Sequence, residues 1–262
     1  MTTFDKIKYT NKYVRLVKFI FLLKIYPKYL MDVNSFKLHE LVRKFNKLIV
    51  IASGPSAKKL QLDSNSLCIT TNSSYLILDE NSNFIHIIKD LNYLRKFLMF
   101  GLKYKPVAVI IDVNTHSNGK GLGAKAIKLV NKYYGRRKYD YPVVVTDNEN
   151  ILKINKKNYR NDLSEFMAKH KISRKGSNSG ELIYAYGVWL SFLNQIKTLE
   201  IYGIDAGEGG QVHFDGRTTA KNHVAFRDKQ KKAMGDFFEE CQSKFNHIKN
   251  YSNFKNNTNE TT

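Results

Sequence analysis

From Lys47 onward the chain repeats one pattern: a short apolar run rich in Val and Ile, a polar break, then an amphipathic stretch. The runs are LIVIA (48–52), LCITT (67–71), FIHII (84–88), VAVIID (107–112), VVVTD (143–147) and LEIYGI (199–204). Between them, 91–104, 123–134, 160–170, 180–196 and 223–246 carry helical periodicity. A strand with one wet face alternates apolar and polar residues, and these runs do not. They must be covered on both faces, which is the condition of a parallel sheet with helices packed against it. The predicted class is therefore α/β: a single Rossmann-like domain over 47–251, with a mostly parallel sheet covered by helices. A chain of 262 residues that is 42% apolar has length enough for one large core.

Residues 1–46 read as a basic helical extension, and 252–262, ending in NFKNNTNETT, as a disordered tail. Within the extension, YVRLVKFIFLLKIYPKYL (13–30) is the most apolar stretch, but Arg15, Lys18 and Lys24 interrupt it before Pro27. That is short of the roughly 20 uninterrupted apolar residues of a membrane span. The interleaved cations and aromatics suit a helix lying in an anionic headgroup layer, or equally a helix packed on the domain with its lysines in water. The formal charge of +20 predicts attraction to polyanions without choosing among lipid, nucleic acid and an anionic metabolite. Cys68 and Cys241 are too few for a disulfide framework, which points to a reducing cytoplasm.

In an open parallel sheet, ligands bind at the carboxyl ends of the strands. Small polar residues stand at the end of most runs: Ser53-Gly54-Pro55-Ser56, then Asn72-Ser73-Ser74, Lys89-Asp90, the segment NTHSNGKGLG, Asp147-Asn148-Glu149, and Asp205 onward. Such residues let backbone amides approach a phosphate closely. Neither a G-x-G-x-x-G fingerprint nor a P-loop is present, so the first of these loops could be an ordinary strand-to-helix turn. Further on, Asn178 and Glu181 have capping-box spacing, which would leave the amides of Ser179 and Gly180 at a positive helix end, with Arg174 and Lys175 nearby. After Gly203-Ile204-Asp205 comes a long glycine-rich loop holding His213 and Arg217. Asn222 would cap the following helix and put His223 in its first turn, where the helix dipole favours the neutral imidazole that a general base needs.

Taken in order, Ser53-Gly54-Pro55-Ser56, Asn72, Ser179-Gly180, Gly203-Ile204-Asp205, and His223 with Asp228 resemble the bacterial sialyltransferases that use CMP-sialic acid, the lipooligosaccharide enzymes of Campylobacter and Haemophilus, over residues 48–246. The resemblance implies a GT-A-like domain and a metal-independent, inverting glycosyltransferase with no cofactor. Ser53, Gly54, Pro55, Ser56, Asn72, Ser179, Gly180 and Asp205 would hold the CMP-activated nonulosonate donor, and His223 would deprotonate the hydroxyl of a glycan or glycolipid acceptor. Asp90, Arg174, His213 and Arg217 are candidate substrate contacts. The chain departs from the family at Ser53, where the family has asparagine, and after Asp205, where Ala206-Gly207 replace tyrosines that hydrogen-bond the departing phosphate. His213, Arg217 or Lys221 would then have to stabilise that charge. The implied location is cytoplasmic, peripheral on the inner face of the inner membrane, with a homo-oligomer left open and no nucleic-acid partner.

Two other readings compete. A related G-P-S-loop family, pterin-pyrophosphokinase-like, would transfer pyrophosphate from ATP using Mg²⁺ held by acids such as Asp90, Asp112 and Asp205. The clusters KNYR (157–160) and YYGRRKY (133–139) mix cations with aromatics as single-strand binders do, although no known nucleic-acid motif accompanies them. Asp147-Asn148-Glu149 could hold a metal in a conventional sugar transferase but reads first as a solvated turn.

Overall fold

The computed structural model describes residues 37–113, 139–147, 159–173, 179–205, 213–216 and 227–252, with positions 129 and 132. Each predicted apolar run is a strand: β1 Lys47–Ile51, β2 Ser66–Thr71, β3 Phe84–Ile88, β4 Ala108–Val113, β5 Val143–Asp147 and β6 Thr198–Tyr202. A seventh, β7 Ile248–Asn250, comes after the last helix. The helices are α1 Leu38–Val42, α2 Leu91–Phe100, α3 Tyr159–Lys169, α4 Ser179–Leu193 and α5 Arg227–Lys244. Most of the predicted helix over 123–134 lies outside the described residues, as do the extension to residue 36 and the tail from 253.

The seven strands form one sheet in the order β5-β4-β3-β2-β1-β6-β7, and every neighbouring pair is parallel. This is a Rossmann-like α/β arrangement. The chain lays strands outward from β1 to β5, then returns through α3 and α4 to place β6 on the free side of β1. The strand order thus reverses between β1 and β6, the place where such sheets open a crevice.

Side chains alternate across the sheet. Leu48 and Val50 of β1 point into the larger core, with Leu182, Tyr184 and Val188 of α4 and Phe237 and Phe238 of α5. Leu38 and Val42 of α1 join them, so the end of the basic extension is part of the domain's core. Ile49 and Ile51 point the other way, where the cover is different. Helix α2 packs over β3 to β5 through Leu94, Phe97 and Leu98. The β1, β2 and β6 side is instead roofed by two short 3-10 turns, Pro55–Lys59 and Ser74–Ile77, and by Leu102 and Tyr104.

Candidate functional site at the strand reversal

The site is built where the chain turns off β1, β2 and β6. The end of β6 is fastened to the end of β1 by backbone bonds from Ala52 N to Tyr202 O (2.9 Å) and from Gly54 N to Gly203 O (2.8 Å). Pro55 then starts a 3-10 turn with Gly54 at its cap position. Ser56 sits inside this turn and does not cap it; its side chain reaches across to β6. Gly203 N donates to Ser56 Oγ at 2.8 Å, Ser56 Oγ donates to Asp205 Oδ1, and Ser56 N donates to Asp205 Oδ2 at 2.8 Å. A carboxylate only accepts, so the serine proton must point at Asp205 and its lone pair at Gly203. Both side chains are buried. Asp205 therefore grips the first loop.

That grip explains two glycines. A Cβ on Gly54 would run into the Asp205 carboxylate and lie 2.6 Å from Gly203 O. Gly203 is at φ 72°, and a Cβ there would collide with the Ala52 carbonyl. The two glycines let the loops after β1 and β6 come close enough for Asp205 to reach Ser56.

The loop after β2 adds the third wall. Ser74 Oγ donates within reach of both Ile51 O (2.6 Å) and Thr71 O (2.8 Å), tying this loop to the end of β1. Asn72 is held at φ 56°, a left-handed conformation that asparagine tolerates better than most residues. Its Oδ1 is buried and has no hydrogen-bond partner. A buried acceptor without a donor costs about 1–3 kcal/mol, which a ligand donor reaching this strand end would remove.

Helix α4 supplies the roof. It enters β6 through the short connection 194–197, so it runs antiparallel to the strands and starts at their carboxyl edge. It packs on β1, β2 and β6, which sets Ser179 and Gly180, both half-buried, above the strand reversal. From the other side, His213 and Phe214 fold back on the first loop. Ser53 O accepts from Phe214 N at 3.0 Å and lies 3.2 Å from His213 Nδ1. Since a carbonyl only accepts, Nδ1 must carry a proton in that contact.

The other predicted contacts fall elsewhere or outside the described residues. Asp90 caps α2, its Oδ1 accepting from Asn92 N (2.8 Å) and Tyr93 N (3.2 Å). Asp112 lies 3.4 Å from the Tyr186 hydroxyl. The strand order puts Asp90 three strands and Asp112 four strands from Asp205, so at about 4.8 Å per strand Asp205 lies roughly 14 Å from the one and roughly 19 Å from the other and cannot share an ion with either. No group of metal-ligating side chains occurs among the described residues. Arg174, Lys175, Asn178, Arg217, Lys221, Asn222, His223, Asn148 and Glu149 are outside the described residues, and the side chains of Asp147 and Asp228 are not described.

Sequence reasoning missed one brace. β7 runs beside β6, Tyr251 N donates to Ile201 O (2.9 Å), and Ser252 Oγ accepts from Ile204 N (3.1 Å), one residue before Asp205. The Tyr251 ring stacks on Tyr202 at 4.9 Å between centroids. Only the apolar Ile248 marks this three-residue strand, so no periodicity announces it.

Comparison of the chain with protein-family models, with curated proteins and with solved structures finds no match.

Proposed function

We propose that the chain is a glycosyltransferase that moves sialic acid or a related acidic sugar from a CMP-activated donor to a cell-surface glycan. The observation that carries this reading is the contact between Ser56 and Asp205, residues 149 apart in sequence, at the strand reversal. They belong to two of the ordered motifs, Ser53-Gly54-Pro55-Ser56 and Gly203-Ile204-Asp205, on which the resemblance to CMP-sialic acid enzymes rests. Their junction would be the floor beneath the nucleotide. In this reading the amides of Ser179 and Gly180 at the start of α4 face the donor phosphate, and Asn72 Oδ1 accepts from the cytosine amine or a ribose hydroxyl. His223 takes the proton of the acceptor hydroxyl as it attacks the anomeric carbon, and CMP leaves with the bonding electron pair. His213 would take the place of the family's tyrosines beside the departing phosphate.

A thermal-shift panel of CMP, CDP, UDP, GDP and ATP, each with and without EDTA, tests this. CMP at about a hundred times its dissociation constant should raise the melting temperature by roughly 5 °C or more, unchanged by chelation. His223→Ala should keep that shift while losing transfer. Stabilisation by ATP that disappears in EDTA would instead favour pyrophosphate transfer.

A further inference from the structure

The side of the sheet roofed by 3-10 turns carries a second feature that the sugar-transfer reading does not use. Leu76 in the second turn and Phe100 at the end of α2 stand 41% and 48% exposed, and Leu62, two residues past the cap of the first turn, stands 40% exposed. Exposed lysines and an arginine surround them: Lys58 and Lys59 end the first turn, Arg95 and Lys96 lie on the outer side of α2, and Lys103 and Lys105 come after it.

These residues form one continuous surface. The two 3-10 turns touch one another, so the lysines that end the first turn and Leu76 in the second belong to neighbouring segments. Lys103 makes a main-chain hydrogen bond to the Tyr75 phenol, and its ammonium lies 4.6 Å from the centre of the Tyr104 ring. Leu102 belongs to the cores under both α2 and the turns, so the layer is unbroken there. On α2, Lys96 sits over the Tyr93 ring at 5.3 Å, and Phe100 is one turn further on. Cations alternating with apolar and aromatic tips is the composition of a surface that enters an anionic headgroup layer: the lysines meet lipid phosphates while leucine and phenylalanine reach the acyl boundary.

Acidic residues border it as well: Asp63 lies 3.5 Å from Lys47, which also pairs with Glu200 at 3.0 Å, and Asp140 pairs with Lys105 at 2.8 Å. Asp79 accepts hydrogen bonds from Ser82 and Asn81 in the turn leading into β3, with Glu80 beside it, so the positive character of the surface comes from Lys58, Lys59, Arg95, Lys96 and Lys103. The opposite layer presents a different groove, between α3 and α5, lined by Ser173, Asp236, Glu239, Glu240 and Ser243, which anionic lipid would repel.

We propose that the turn-roofed surface centred on Leu76, with Leu62, Phe100, Lys58, Lys59 and Lys103, docks the protein on an anionic lipid bilayer. It adjoins the loop that ends at Ser56, so docking sets the rim of the strand-reversal crevice at the headgroups. The inference does not depend on which nucleotide that crevice takes.

Flotation of the full chain with phosphatidylcholine vesicles, with and without about 30% phosphatidylglycerol, tests the surface together with a site-specific label. Wild-type protein should float only with the anionic vesicles and release in about 0.5 M salt. The triple variant K58E/K59E/K103E should bind at least about tenfold more weakly, with an unchanged melting temperature. Because Cys68 and Cys241 are buried, Leu76→Cys and Leu193→Cys can each be labelled selectively with a nitroxide. Leu193 is 50% exposed at the far end of α4 and serves as the control. On vesicle binding, the label at 76 should become accessible to dissolved oxygen and shielded from aqueous reagents, while that at 193 should not change. A label at 76 that stays aqueous on bound protein overturns the proposal, even if the basic extension holds the protein on the vesicle. So does wild-type protein that binds single-stranded RNA but no vesicle.

Discussion

Asp205 and Ser56 account for most of what is specific about this site, because one carboxylate takes both hydrogens that the serine offers. Removing it leaves a buried amide and a buried hydroxyl without their acceptor. Asp205→Ala should therefore cost about 3 kcal/mol in urea denaturation. A loss under about 0.5 kcal/mol would mean the grip is not maintained in solution. His86 makes a second residue-level test. It is buried in β3 beside Thr70 Oγ1 (2.9 Å), and desolvation pushes its imidazole down to about 3. The unfolded chain takes up a proton near pH 6.5 and the folded one does not, so stability is complete above that pH. It falls by roughly 1.4 kcal/mol per pH unit as pH drops toward 3. His247, also pushed down by burial, acts in the same direction. Denaturation midpoints at about pH 7 and about pH 5 should show this loss, and His86→Gln should reduce it.

At the scale of elements, α2 shows how one residue can carry two sequence signals. Asp90 stands just past β3 at the edge where ligands bind, which suggests a substrate contact, yet Asp ahead of an amphipathic run is also the pattern of an N-cap. The capping role is the one the structure displays. Asp90→Ala should cost about 1 kcal/mol of stability and leave any nucleotide response unchanged, as thermal melts with and without CMP would show. The six long strands were legible because burial on both faces makes each a continuous apolar run. The contact between Ser56 and Asp205 was not: pairing across 149 positions depends on strand order, and nothing local in β1 says that β6 rather than β5 will lie beside it. β7 escaped for the opposite reason, being too short to show a period. Ser252, assigned to a tail, gains its role only because β7 delivers it to Ile204.

Over the whole molecule, the reversal of strand order determines where chemistry can happen. The loops after β1, β2 and β6, the start of α4, and His213 with Phe214 all meet at one edge of the sheet, and the surface centred on Leu76 borders that edge. The charge of +20 is consistent with a polyanionic partner but does not by itself locate one. No helix among the described residues is long and apolar enough to cross a membrane. The lipid contact proposed for the Leu76 surface is accordingly a peripheral one, made by side chains on an outer face of the domain.

The central claim is that the crevice at the reversal binds a cytidine nucleotide, and amide hydrogen exchange with and without saturating CMP addresses it directly. Protection should rise in 52–57, 71–74, 179–182 and 203–205 and stay unchanged in α2 and in the groove between α3 and α5. Unchanged exchange at the reversal under saturating CMP, or protection confined to another part of the sheet, would contradict it.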